Sequence, residues 1–165
     1  MKKIIIMMTI SVALFAGMKS GDKAVDFELP TLDQSKTYTM KEFRGQVVLL
    51  NLWASWCSGC KKEMPEFFKL QKAYPEGFKL VTISVDSQAE ESNDYLVAIE
   101  ELIGYKTPFI TLHDAKKEIA KAYGARAMPS SFLIDKNAII RKVILGSLDE
   151  EDIDELKKDI NSLMK

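Results

Sequence analysis

Val47-Val48-Leu49-Leu50-Asn51-Leu52-Trp53-Ala54-Ser55-Trp56-Cys57-Ser58-Gly59-Cys60-Lys61-Lys62-Glu63-Met64-Pro65 carries the two signals that decide the fold. Its first seven residues are an almost unbroken apolar run, the mark of a central parallel strand covered on both faces. A helical pattern follows. Met64, Phe67, Phe68, Gln71 and Tyr74 keep a spacing of three and four, and Pro75 helps to end it. Cys57-Ser58-Gly59-Cys60 lies at the joint between strand and helix. A first helical turn presents unpaired N–H groups and the positive end of the dipole. A thiolate there is stabilised, and its pKa falls into a range of about 3.5–7.5. The second cysteine lies one turn on, within disulfide reach. This placement predicts an exposed Cys57 that attacks and a shielded Cys60 that resolves the mixed disulfide. The plainer readings are two buried small hydrophobes or half of a zinc site. The chain has two cysteines and one histidine, His113, so a four-ligand zinc site lacks its ligands and no metal is expected.

Outward from this segment, strands and helices alternate. Towards the N-terminus, Val25, Phe27 and Leu29 alternate with Asp26 and Glu28 as in a half-buried strand. Pro30 to Lys36 turns the chain, and Thr37 to Met40 pairs back as a hairpin. Towards the C-terminus come a strand over 78–85, a helix over about 89–103 and a short strand over 108–112. A short helix over 116–123 is closed by Gly124. Two strands, 131–134 and 138–145, are joined by the hairpin signal Asp135-Lys136-Asn137. The last helix, about 149–164, buries Ile153, Leu156, Ile160 and Leu163 and crowds its acids into the first turn, where the dipole favours them. This order predicts an α/β fold with a mixed sheet covered by helices.

The composition is that of a globular domain: 165 residues, 47% hydrophobic and 28% charged. A chain of this length buries roughly 70% of its extended surface and needs no disulfide or metal staple to fold. Two cysteines only three apart could not serve as one, because closing so short a loop constrains the unfolded chain little. With 23 Lys+Arg against 24 Asp+Glu, no charge excess argues for nucleic acid.

Lys2 and Lys3 precede fifteen uncharged, mostly apolar residues, Ile4 to Met18. A basic start followed by such a run reads as an export signal over residues 1–20, cleaved or kept as an N-terminal anchor. A spanning helix wants about 20 apolar residues, more than this run offers. Leu14-Phe15-Ala16-Gly17 resembles the start of a lipoprotein box, but Met18 stands where that box requires cysteine. Ser20 to Lys23 is expected as a polar hinge before a domain over 24–165. Export would place the thiols where they tend to be oxidised.

The segment Trp53 to Pro65 resembles the active-site segment of the thioredoxin superfamily, and more narrowly its TlpA/ResA branch of exported thiol–disulfide oxidoreductases. Phe43-Arg44-Gly45, Ala120-Lys121-Ala122-Tyr123-Gly124 and Met128-Pro129-Ser130-Ser131-Phe132-Leu133-Ile134-Asp135 resemble that branch too. So does an extra helix and strand between Ser87 and Asp114. The resemblance implies a thioredoxin fold with an N-terminal β-hairpin and that helix–strand insert. It implies Cys57 and Cys60 as the redox-active disulfide, and Pro129 as a cis-proline beside the site. It also implies that Met128 pairs through its backbone with an extended substrate chain. Trp56 is expected to offer a rim for peptide, and Pro65 to disturb the helix from inside. Glu63 aligns with an acid under the site that can raise thiol pKa values and pass protons. Asn51 stands where thioredoxin has a buried Asp. Ser58-Gly59 departs from the dipeptides of thioredoxin and of ResA-like proteins.

The function expected is extracytoplasmic reduction of disulfides in exported proteins by a monomer without a cofactor. A membrane protein of the thiol-transporting type would re-reduce it. Cytochrome c apoprotein, with its own C-x-x-C-H, is the substrate that ResA-like relatives suggest. Two alternatives remain. A peroxiredoxin-like peroxidase needs Pro-x-x-x-Thr/Ser-x-x-Cys, where this chain has Leu50 and Ala54. A non-catalytic binding module would leave both cysteines incidental.

Overall fold

The computed structural model describes residues 17–165, so residues 1–16 of the signal or anchor expected over residues 1–20 lie outside the described residues. The apolar run is strand β3, Val47–Trp53, and all seven of its residues are buried. Two elements precede it in a separate antiparallel hairpin, β1 (Glu28–Pro30) and β2 (Thr37–Thr39). After β3 come α1 (Ser58–Ala73), β4 (Phe78–Ser84), α2 (Ala89–Ile103), β5 (Ile110–His113), α3 (Glu118–Ala122), β6 (Ser130–Ile134), β7 (Ile140–Leu145) and α4 (Glu150–Met164). The main sheet has the order β5-β4-β3-β6-β7. β3 is parallel to β4 and antiparallel to β6, which pairs antiparallel with β7. The expected mixed sheet with flanking helices, N-terminal hairpin and α2–β5 insert is thus the observed thioredoxin fold.

Three local details depart from the sequence reading. The strand expected from Val25 begins only at Glu28, although Phe27 is buried. The cause is Asp26, whose carboxylate accepts the backbone N–H groups of Phe27 (3.0 Å) and Met40 (3.1 Å) and diverts the chain from a ladder. A 3₁₀ turn, Met40–Phe43, follows β2, held by a capping box between Thr39 and Glu42. Residues 18–22 are bonded to the body of the fold. Met18 N–H donates to Tyr123 O (3.1 Å), and Gly21 N–H donates to Ile140 O (2.8 Å).

The insert is bonded to the active-site helix. Pro65 lies inside α1 and has no N–H to give to the Lys61 carbonyl four residues back. Tyr95 of α2 supplies a donor instead, its hydroxyl lying 3.3 Å from Lys61 O. The Tyr95 ring also packs against Trp53 at 5.8 Å between centroids. Phe109, leading into β5, meets Phe68 of α1 edge to face at 5.1 Å.

Candidate active site

β3 ends at Trp53, and the chain turns through Ala54-Ser55-Trp56 into α1. Cys57 is the N-cap of that helix, with extended backbone, and its Sγ accepts the N–H of Cys60 at 3.1 Å. The pair is disulfide-bonded with Cα atoms 5.3 Å apart. Cys57 is 6% exposed and Cys60 0%, so the asymmetry expected from the spacing is present but small. The expectation of an openly exposed Cys57 is corrected: the bonded sulfur is covered, and the neighbouring Trp56, 63% exposed, is the prominent surface feature.

Gly59 explains why this dipeptide suits this site. A Cβ built on it would lie 3.3 Å from Pro129 Cδ and 3.4 Å from Ser147 Cβ. The active-site turn therefore rests directly on Pro129, whose peptide bond to Met128 is cis. Pro129 is buried and Met128 half-buried. No backbone hydrogen bond to Met128 occurs among the described residues. Met128 and Trp56 line one groove of about 450 Å³.

Behind Cys60, one helical turn on, Glu63 is fully buried. It is not a solvated surface charge. Asn51 Nδ2 donates to Oε1 (2.9 Å) and the Leu148 N–H donates to Oε2 (3.1 Å). Burial pushes the Glu63 carboxyl up to about 7, against these two donors, which favour its charged form. The same Asn51 amide donates to Ser131 Oγ (2.9 Å) on β6, the residue opposite it in the sheet. Asn51 Oδ1 is buried without a hydrogen-bond partner among the described residues. The chain thus holds its buried acid on the helix and an amide on the strand, tied to β6 two residues beyond Pro129.

Asp86 escaped the sequence reading. It follows β4 and is fully buried. Its Oδ2 accepts the N–H of Ser55 (2.9 Å), two residues before Cys57. The same oxygen accepts the hydroxyls of Ser84 (3.3 Å) and of Ser92 on α2. Oδ1 and the buried Trp53 Nε1 have no hydrogen-bond partner among the described residues. His113 is half-buried with Nε2 3.0 Å from the Asp86 carbonyl oxygen. A carboxylate bonding across 31 residues leaves no periodic signal. Only its position at the end of a buried strand beside the Cys57 loop could have found it.

No cluster of three or more metal-ligating side chains occurs among the described residues. No helix among them is long and apolar enough to cross a membrane.

Residues 20–143 match the family model described as AhpC/TSA family. The chain belongs to the AhpC/TSA family. Within that family it resembles the thioredoxin-like protein YneN of Bacillus subtilis, 32% identical over 139 residues, 84% of this chain and 79% of that one. It equally resembles the thiol–disulfide oxidoreductase ResA of Geobacillus thermodenitrificans, 32% identical over 134 residues, 81% of this chain and 73% of that one. Among solved structures it is similar to a Chlorobium tepidum protein assigned as the thiol:disulfide interchange protein DsbE. The TM-score is 0.80 at 29% identity, over 90% of this chain and all of the other. StoA of Bacillus subtilis superposes with a TM-score of 0.66 at 28% identity, over 81% of this chain and 97% of that one. This AhpC/TSA member is a thiol–disulfide oxidoreductase of the ResA, DsbE and StoA type, with Cys57 and Cys60 as its C-x-x-C pair.

Proposed function

We propose that this protein reduces disulfides in exported proteins, outside the cytoplasm, through a cycle of Cys57 and Cys60. The Cys57 thiolate attacks one sulfur of a substrate disulfide. A bond from Cys57 to that sulfur forms, the substrate S–S bond breaks, and the other substrate sulfur leaves as a thiolate that takes up a proton. Cys60 then loses its proton and attacks Cys57 Sγ. The mixed disulfide breaks, the second substrate thiolate leaves, and the enzyme holds the Cys57–Cys60 disulfide while the substrate has gained two electrons and two protons. Glu63, held near pKa 7 one turn from Cys60, takes the proton of Cys60 in this reading. Trp56, Met128 and Pro129 form the rim on which the substrate chain lies. A membrane protein of the thiol-transporting type restores the dithiol, and no cofactor enters.

One observation carries the assignment of roles. Cys57 caps the helix and keeps the pair's remaining exposure, whereas Cys60 is fully buried, one helical turn before the buried carboxyl of Glu63. The reducing direction follows from the same carboxyl. A negative charge beside the sulfurs opposes the thiolate and favours the disulfide, so the potential belongs near the thioredoxin value of about −270 mV. The apolar run after Lys2 and Lys3 supports export. Leu50 and Ala54, both buried, occupy the positions where a peroxidase of this fold would need Pro and Thr/Ser.

Trapping tests the roles. Cys60→Ser is expected to accumulate a mixed disulfide with an oxidised protein substrate such as insulin, and Cys57→Ser to accumulate none. Equal trapping by both variants contradicts the assignment.

A further inference from the structure

The groove between Trp56 and Met128 has a second wall that the redox chemistry does not use. Val85 and Ala120 floor it, and Lys117, Lys121 and Arg126 line it, with no carboxylate among its lining residues. This is a local departure, because over the whole chain acids slightly outnumber bases. Lys117 and Lys121 are exposed, and neither makes an ion pair among the described residues. Glu118 lies between them in sequence but does not line the groove.

The two lysines are held in place. The Lys121 N–H donates to Lys117 O at 3.0 Å, so they stand one helical turn apart. Lys117 is the N-cap of the short helix α3, with left-handed backbone (φ 59°), Lys121 lies within that helix, and the buried Asp114 fastens it. Its carboxylate accepts the N–H groups of Glu118 (2.9 Å), Ile119 (2.9 Å) and Ala120 (3.0 Å).

The geometry points to a substrate class: a disulfide-bearing, extended polypeptide segment with acidic residues beside its cysteine. This inference rests on the reading of Cys57 as the attacking thiol. A chain bonded to Cys57 and paired with the backbone of Met128 runs on along residues 124–128, which edge the groove. Its acids then meet Lys117 and Lys121. Rim charges of this kind act chiefly on the rate of encounter and on its salt dependence.

The test uses three disulfide-bridged peptides that differ only at positions i and i+2 beside one cysteine: Glu-x-Glu, Gln-x-Gln and Lys-x-Lys. Initial rates of reduction by the dithiol form of the full chain give kcat/KM. At low salt the Glu peptide is expected to react about tenfold faster than the Gln peptide, and the Lys peptide slower than both. The advantage should vanish in 1 M salt, where the Debye length falls to about 3 Å. In the Lys117→Gln/Lys121→Gln variant the Glu-to-Gln ratio should fall to within about twofold, the Gln peptide serving as reference within each protein. Equal rates for all three peptides overturn the substrate class and leave the oxidoreductase reading intact. So does a ratio unchanged by the double substitution. No reduction of any peptide overturns the role of Cys57 and this inference with it.

Discussion

The two cysteines lie 5.3 Å apart and meet different surroundings. On the Cys57 side, a tryptophan 63% exposed and a groove lined by cations face solvent. Cys60 has no exposure, and one helical turn on, the buried Glu63 is joined by hydrogen bonds to Asn51 and the Leu148 N–H, and through Asn51 to Ser131. Three residues of helix suffice to make this difference. The N-cap stands outside the helix, and one turn later the chain points into the sheet. Charge is handled accordingly. The open side can attract a charged partner through water, whereas the closed side can hold only a carboxyl that keeps its proton to about pH 7. The lesson is that the motif's chemistry is divided by burial: encounter belongs to one cysteine and proton handling to the other.

The largest break in this arrangement is expected from Asp86, which supports the open side. Asp86→Ala removes the acceptor of the Ser55 N–H and of two serine hydroxyls in a sealed site. The loss is about 3–4 kcal/mol of stability, seen as a lower denaturant midpoint. Attack by Cys57 should slow as its loop loosens. A midpoint within about 0.5 kcal/mol of the parent would deny Asp86 this role.

Glu63→Gln sharpens the closed side, and its effect changes sign with pH. The folded carboxyl titrates near 7, whereas an unfolded glutamate releases its proton near 4.5. Between these values the folded chain binds more protons, so stability falls as pH rises from 4.5 to 7, by on the order of 3 kcal/mol. Above pH 7 the loss is complete. Glutamine does not ionise, but its Nε2 cannot accept where a carboxylate oxygen did, so it orphans either the Leu148 N–H or the Asn51 amide, which costs about 1 kcal/mol. The variant should therefore be less stable than the parent at pH 4.5 and more stable at pH 8. Parallel curves from urea unfolding across that range would contradict the buried titration.

The smallest effect is expected where the insert braces the active-site helix. Tyr95→Phe removes the donor that serves the Lys61 carbonyl left open by Pro65, through a long bond of 3.3 Å at a partly exposed site. The cost should be about 0.5 kcal/mol. A loss above about 2 kcal/mol in thermal unfolding would mean that α2 carries far more of the site than this contact implies.

Much of this molecule was legible in its sequence because its signals are local. Val47 to Trp53 could be read as a buried strand from its apolar run, α2 from its spacing, and the redox pair from its place at a strand–helix joint. The reading weakened where a side chain captured the backbone. Asp26 shortens β1 by taking two N–H groups, one of them fourteen residues away. Asp86 serves a loop 31 residues earlier, and nothing about an aspartate after a strand announces that. Glu63 was legible as a candidate through resemblance. Its burial depended on Leu148, 85 residues on, and on Asn51 across the sheet. Cys57 was expected in the open, but the cap position draws its sulfur down onto the Cys60 N–H.

The division between an open and a sealed cysteine is tested most directly by alkylation. The dithiol form is treated with less than one equivalent of iodoacetamide at pH 7, and the labelled peptide is identified by mass. The account predicts the label on Cys57, with Cys60 unmodified until the chain is unfolded. Equal labelling of the two, or a preference for Cys60, would contradict it.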